Sequence, residues 1–184
     1  MSNMTDFDTH LLSKPRRQSW FGRFQIVNLA LLTLLAILSR VYLPRLIPST
    51  RFLELPLLLT IYFALTRRSP VAAVLFGMSV GLIEDSLAPY RINPIGMNGL
   101  TKTLVAYFAA SVSLRFDVEN VILRFLLSFL FYFFNTFLYW VMRRALLAQM
   151  VPFDPLETVI YGALNAVVAV PLYLMLDRLK LSRG

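Results

Sequence analysis

The chain has 184 residues, 58% of them hydrophobic and only 15% charged, with a mean hydropathy of +0.66. A soluble domain of this size cannot hide so much apolar surface, so the composition points to one compact integral membrane domain. The absence of cysteine excludes disulfides, a thiolate nucleophile and a Cys-based metal site, and the net charge of +8 sits in short loops between apolar runs, which is how membrane topology rather than nucleic-acid binding is encoded.

Residues 1–23 form a polar, then basic-aromatic tail that runs into the first apolar segment through KPRRQSWFGRF. No small-residue cleavage site follows the first apolar run, so the reading is a retained first span with a positive anchor and Trp20 and Phe21 at the interface. An in-plane amphipathic helix on anionic lipid is the alternative. The remainder, 24–184, reads as a six-span all-α bundle, with apolar segments at 24–43, 53–65, 71–83, 95–114, 122–142 and 158–176. The second and third are short and separated only by a turn carrying Arg67 and Arg68. They are expected either to form a shallow buried pair or to borrow residues from their flanks. With the N-terminus inside, eleven Lys and Arg fall on inner segments and six on outer ones, counting Arg40, Arg45, Arg51 and Arg143 as outer. That bias places both termini in the cytoplasm and Glu84 and Asp85 at the outer side.

The stretch 76–100, FGMSVGLIEDSLAPYRINPIGMNGL, concentrates the chemistry. Gly77-Met78-Ser79-Val80-Gly81 matches the G-x-S-x-G nucleophile elbow, but that chemistry needs a strand-turn-helix bend and a partner histidine. Here the pattern lies in an apolar span, and the chain's single histidine is His10. Helix packing is the better reading. Ala73, Gly77, Gly81 and Asp85 recur every four residues and share one face, where small side chains let a neighbouring backbone approach. Gly99, Ala106, Ala109, Ala110 and Ser113 form an answering stripe on the fourth span, so the two spans are expected to pack as a tight hairpin. Asn93 with Pro94 reads as an N-cap and first-turn proline, and a helix start facing Glu84 and Asp85 would favour their charge.

Lys102 lies about two turns into that fourth span, where an unpaired ammonium is costly. Asp85 or Glu84 is its natural partner, and snorkelling outward is the alternative. A proton or ion path through the three groups is a weaker third reading, because carboxylates are not distributed over the other spans. Asn135 and Asn165, in the fifth and sixth spans, are expected to hydrogen-bond to other helices. Pro56 and Pro171 should kink or frame their helices, and the aromatic cluster from Phe129 to Trp140 suits lipid contact. No catalytic residue, metal site or cofactor is assigned.

These residues resemble a known family. Gly77, Gly81 and Asp85, then Gly96, Met97, Asn98, Gly99 and Leu100, and a helix with Lys102 and Tyr107, are similar to the bacterial rod-shape-determining MreD family over about residues 52–180. The family usually follows its second-span proline with Asp or Asn. Here Leu57 follows Pro56 and the acid, Glu54, precedes it, which leaves Glu54 without an assigned role. The resemblance implies a non-enzymatic inner-membrane scaffold or regulator of the cell-wall elongation complex. Its implied partners are an MreC-like single-span protein, a RodA-type glycosyltransferase, a class B penicillin-binding transpeptidase, an MreB-like filament and membrane lipids, with no nucleic acid. It also implies a fold like that of the substrate-binding subunits of energy-coupling-factor transporters. A vitamin-binding subunit of such a transporter is the alternative function, although the first span lacks the Ala-xxx-Ala face used there for docking.

Overall fold

The computed structural model describes residues 23–87, 95–118 and 120–181. Apart from Arg23, the N-terminal tail lies outside the described residues, as do His10, Asn93 and Pro94. Six α-helices and one short 3-10 turn make up the described chain, and no strand occurs in it. They are α1 (Arg23–Leu46), the 3-10 turn (Pro48–Thr50), α2 (Leu55–Arg67), α3 (Pro70–Leu87), α4 (Met97–Ser113), α5 (Val121–Leu147) and α6 (Pro155–Leu181).

Local chemistry sets several of the ends. Asn120 caps α5 by accepting from the Ile122 amide at 2.9 Å. Asp154 Oδ1 accepts from the Leu156 and Glu157 amides at 3.0 Å, with Pro155 opening α6. Pro56 sits in the first turn of α2 and frames its start, whereas Pro171 lies inside α6. The 17 residues of α4 begin after Gly96, whose φ of +104° belongs to the left-handed region that side chains resist.

Length separates the helices into two kinds. Four of them, α1, α3, α5 and α6, have stretches long and apolar enough to cross a membrane. The third segment is therefore no short partner of the second, since α3 runs for 18 residues. The 13-residue α2 is the exception. At 1.5 Å per residue it covers about 20 Å, short of a hydrocarbon core of about 30 Å. It is also apolar all round and buried all round, with Leu57, Leu58, Ile61 and Ala64 fully enclosed. This helix is the centre of the core, wrapped by longer neighbours. The largest interface is between α3 and α4, followed by α5 with α6.

The aromatic cluster of the fifth segment, expected to face lipid, is not all on the outside of the bundle. Phe131 and Tyr132 are buried in the core, and Trp140 and Phe137 pack with Phe153 of the loop before α6. Its composition, aromatic on every side, did not distinguish these roles.

Candidate functional site

Glu84 and Asp85 end α3 side by side, and both are buried, at 6% and 2% exposure. Consecutive helical residues point about 100° apart, so the two carboxylates leave in different directions. Asp85 turns to the start of α4. Its Oδ2 accepts from the Gly96 amide at 2.9 Å and the Gly99 amide at 3.2 Å, and its Oδ1 accepts from Asn98 Nδ2 at 2.8 Å. One helix thus supplies the N-terminal cap of the next, and a negative charge sits where the amide dipoles favour it.

The close packing that makes this reach short comes from the glycines. A Cβ on Gly77 would stand 2.6 Å from the Lys102 carbonyl oxygen. One on Gly81 would overlap the Asn98 carbonyl and stand 2.5 Å from the Gly99 nitrogen. At both positions the obstacle is backbone, so α4 can lie against α3 only where the side chain is absent.

Glu84 takes the other direction. Lys102, 1% exposed, brings Nζ to 2.7 Å from Glu84 Oε2. That oxygen lies out of line for a hydrogen bond, so the contact is Coulombic. Arg40 Nε stands 3.6 Å from Glu84 Oε1, while the same guanidinium donates to Glu54 Oε1 at 3.0 Å and to the Arg51 carbonyl at 2.6 Å. Lys102 also lies 3.5 Å from Asn98 Oδ1.

From Glu54 the network continues to the last two helices. Asn135 Nδ2 on α5 lies 3.4 Å from Glu54 Oε2. On α6, Asn165 Oδ1 accepts from the Glu54 amide at 2.9 Å, and its Nδ2 donates to the carbonyls of Phe52 and Tyr161 at 2.6 and 2.9 Å. Glu54 is the N-cap residue of α2, yet its carboxylate makes no cap bond because it is turned toward Arg40. Arg40, Glu54, Glu84 with Asp85, Asn98 with Lys102, Asn135 and Asn165 therefore join all six helices in one connected polar network. Two of its members, Arg40 and Glu54, have no partner assigned from the sequence. Arg40 is not in an outer loop but inside α1, six residues or about 9 Å from its end. The signal was present: an arginine within an apolar run calls for the same search for a partner that Lys102 prompts.

The network floors a cavity of about 720 Å³ at one end of the bundle, where Glu54, Glu84 and Asn135 meet Tyr132, Tyr139 and Tyr161. Among the described residues no cluster of His, Asp and Glu is placed to hold a metal ion. Ser79 of the G-x-S-x-G match is mid-helix, with its hydroxyl donating to the Leu75 carbonyl at 2.8 Å, so no elbow exists there. A second polar cluster lies toward the other end: Asp177 accepts from the Tyr62 hydroxyl at 2.8 Å and pairs with Arg124.

Long apolar helices around a buried ionic network define an all-α membrane protein. The family model for the rod shape-determining protein MreD matches residues 22–180, and the chain belongs to that family of shape-determining membrane proteins. No curated protein and no solved structure matches it.

Proposed function

We propose that this chain is a non-enzymatic scaffold and regulator of the cell-wall elongation complex in the bacterial inner membrane. It controls cell shape by binding the transmembrane helix of an MreC-like protein. Through that partner it reaches the RodA-type glycosyltransferase, the class B transpeptidase and the MreB-like filament. The observation that carries the reading is the MreD family match over residues 22–180.

In this reading all six helices cross the membrane, α2 as a short central span, in a bundle like that of the energy-coupling-factor binding subunits. Both termini are cytoplasmic, so the cavity opens outward. The geometry is in keeping with a structural role for Gly77, Gly81, Asp85, Gly96, Asn98 and Gly99. Asp85 is taken up by amides, and Glu84 is held between two cations, which leaves neither carboxylate poised as a general base.

A second reading, a vitamin-binding transporter subunit, draws on the cavity of about 720 Å³, within the ~300–1,000 Å³ usual for small-molecule sites. Purification from native membrane in mild detergent separates the two. Recovery of an MreC-like protein with the transpeptidase is the expected outcome. Recovery instead of an ATPase-coupled module with a bound small molecule would overturn the scaffold.

A further inference from the structure

The cavity has a floor and a mouth with different electrostatics. On the floor the charges are matched. Arg40 faces Glu54 and Glu84 there, Lys102 backs Glu84 from outside the lining, and Asp85, also outside it, is held by amides of α4. At the mouth, Arg45, Arg51 and Arg143 line the cavity beside a single carboxylate, Glu157.

None of these three guanidiniums is among the ion pairs of the described residues. Arg45 lies over the Tyr42 ring at 5.3 Å, and Arg143 donates twice to Gln149 Oε1, at 2.9 and 2.8 Å. Both contacts are with neutral groups, so among the described residues that line the mouth three guanidiniums stand against the one carboxylate of Glu157. The floor holds a complementary feature. Asn135 is 3% exposed and lines the cavity, and among the described residues its Oδ1 has no hydrogen-bond partner. A buried acceptor left unpaired is expensive, and a turn of the amide that brings this enclosed oxygen to the cavity would let an arriving donor satisfy it.

We infer that this cavity binds a phosphate-bearing group carrying a hydroxyl or amine substituent. The phosphate engages Arg45, Arg51 and Arg143, whose planar donor forks match its oxygens. The substituent donates to Asn135 Oδ1, beside the Glu54 carboxylate. Tyr132, Tyr139 and Tyr161 give the walls amphipathic surface suited to a polyol. Leu46 and Leu156, 79% and 70% exposed, adjoin the lining residues Arg45 and Glu157 in the chain and provide apolar ground for the tail of a lipid. The same phosphate chemistry could arrive on a lipid headgroup or on a soluble phosphate ester, and the site depends on neither reading of the protein's partners.

The test uses the full chain in detergent. Native mass spectrometry measures retention of phosphatidylglycerol against phosphatidylcholine, and thermal unfolding measures the response to glycerol 3-phosphate and inorganic phosphate. The variants are R45Q/R51Q at the exposed mouth, N135L on the floor, and R115Q/R178Q on exposed residues away from the cavity as control. Loss of charge-assisted bonds should cut retention by about tenfold. A preference for phosphatidylglycerol that falls by that factor in R45Q/R51Q, and survives in R115Q/R178Q, supports a lipid occupant. Thermal stabilisation by glycerol 3-phosphate or inorganic phosphate with the same dependence supports the site filled from water. N135L should weaken whichever ligand binds, and R45Q/R51Q decides the matter if N135L fails to fold. Equal retention of the two lipids with no soluble response overturns the inference. So does a preference that survives R45Q/R51Q or is lost equally in the control.

Discussion

Lys102 shows how a charge is kept inside this protein. Its Nζ is 2.7 Å from Glu84, and Arg40 approaches the same carboxylate at 3.6 Å. A buried pair adds little over an apolar substitute, but breaking it strands a charge, at a cost of about 3–5 kcal/mol. Lys102→Met should therefore lower the thermal midpoint sharply in detergent. Adding Glu84→Gln should recover much of the loss, because the uncompensated carboxylate is then gone. A double variant no more stable than Lys102→Met alone would show that the two groups are not coupled. Gly81 poses a different constraint, because a Cβ there meets the Asn98 carbonyl and the Gly99 nitrogen. Gly81→Ala should cost at least about 1–3 kcal/mol through overpacking. Unfolding at the parental temperature would contradict the close approach.

At the scale of elements, the α3–α4 hairpin is the most tightly specified unit. The four-residue recurrence of Ala73, Gly77, Gly81 and Asp85 put these residues on one face in the sequence, and that face is the one α4 covers. The sequence did not divide the work of the two acids. It offered either of them to Lys102, whereas the structure gives Lys102 to Glu84 and the α4 amides to Asp85. Asp85→Ala should destabilise the protein by about 1–2 kcal/mol, as loss of a helix cap does. The Gly96 and Gly99 amides should then exchange with solvent faster than in the parent. Asp85→Asn keeps an acceptor and should fall between the two. Unchanged exchange at both amides in Asp85→Ala would mean that the carboxylate does not cap α4. The short α2 was legible as an apolar run, but its place at the centre of the core was not. Its surroundings come from helices distant in sequence, such as α6, which brings Tyr173 to the Leu58 carbonyl.

Over the whole molecule, a polar network touching every helix ties the relative heights of the helices together. Sliding one helix along its neighbours would separate Arg40 from Glu54 or Asn165 from Phe52, so register errors carry an electrostatic penalty as well as a packing one. For the scaffold role proposed above this matters, because a rigid outer surface is useful to a partner helix only if the bundle has one arrangement. Arg40→Gln, which removes the link between α1, α2 and α3, should release that register. The fraction copurifying with an MreC-like partner should drop even where the variant still inserts in the membrane. Undiminished copurification would argue that the network serves stability alone.

Composition and periodicity by themselves determined that the chain is an all-α membrane protein, where its apolar segments lie, and which small residues share a face. Those properties depend on the solvent a segment prefers and on the 3.6-residue turn, and both are local. Only the tertiary structure decided that Arg40 and Glu54 belong with Glu84 and Lys102. It also decided that Asp85 caps the following helix, and that a cavity rimmed by guanidiniums opens above them. Partner choice for a buried charge depends on which helices become neighbours, and no spacing within one helix records that.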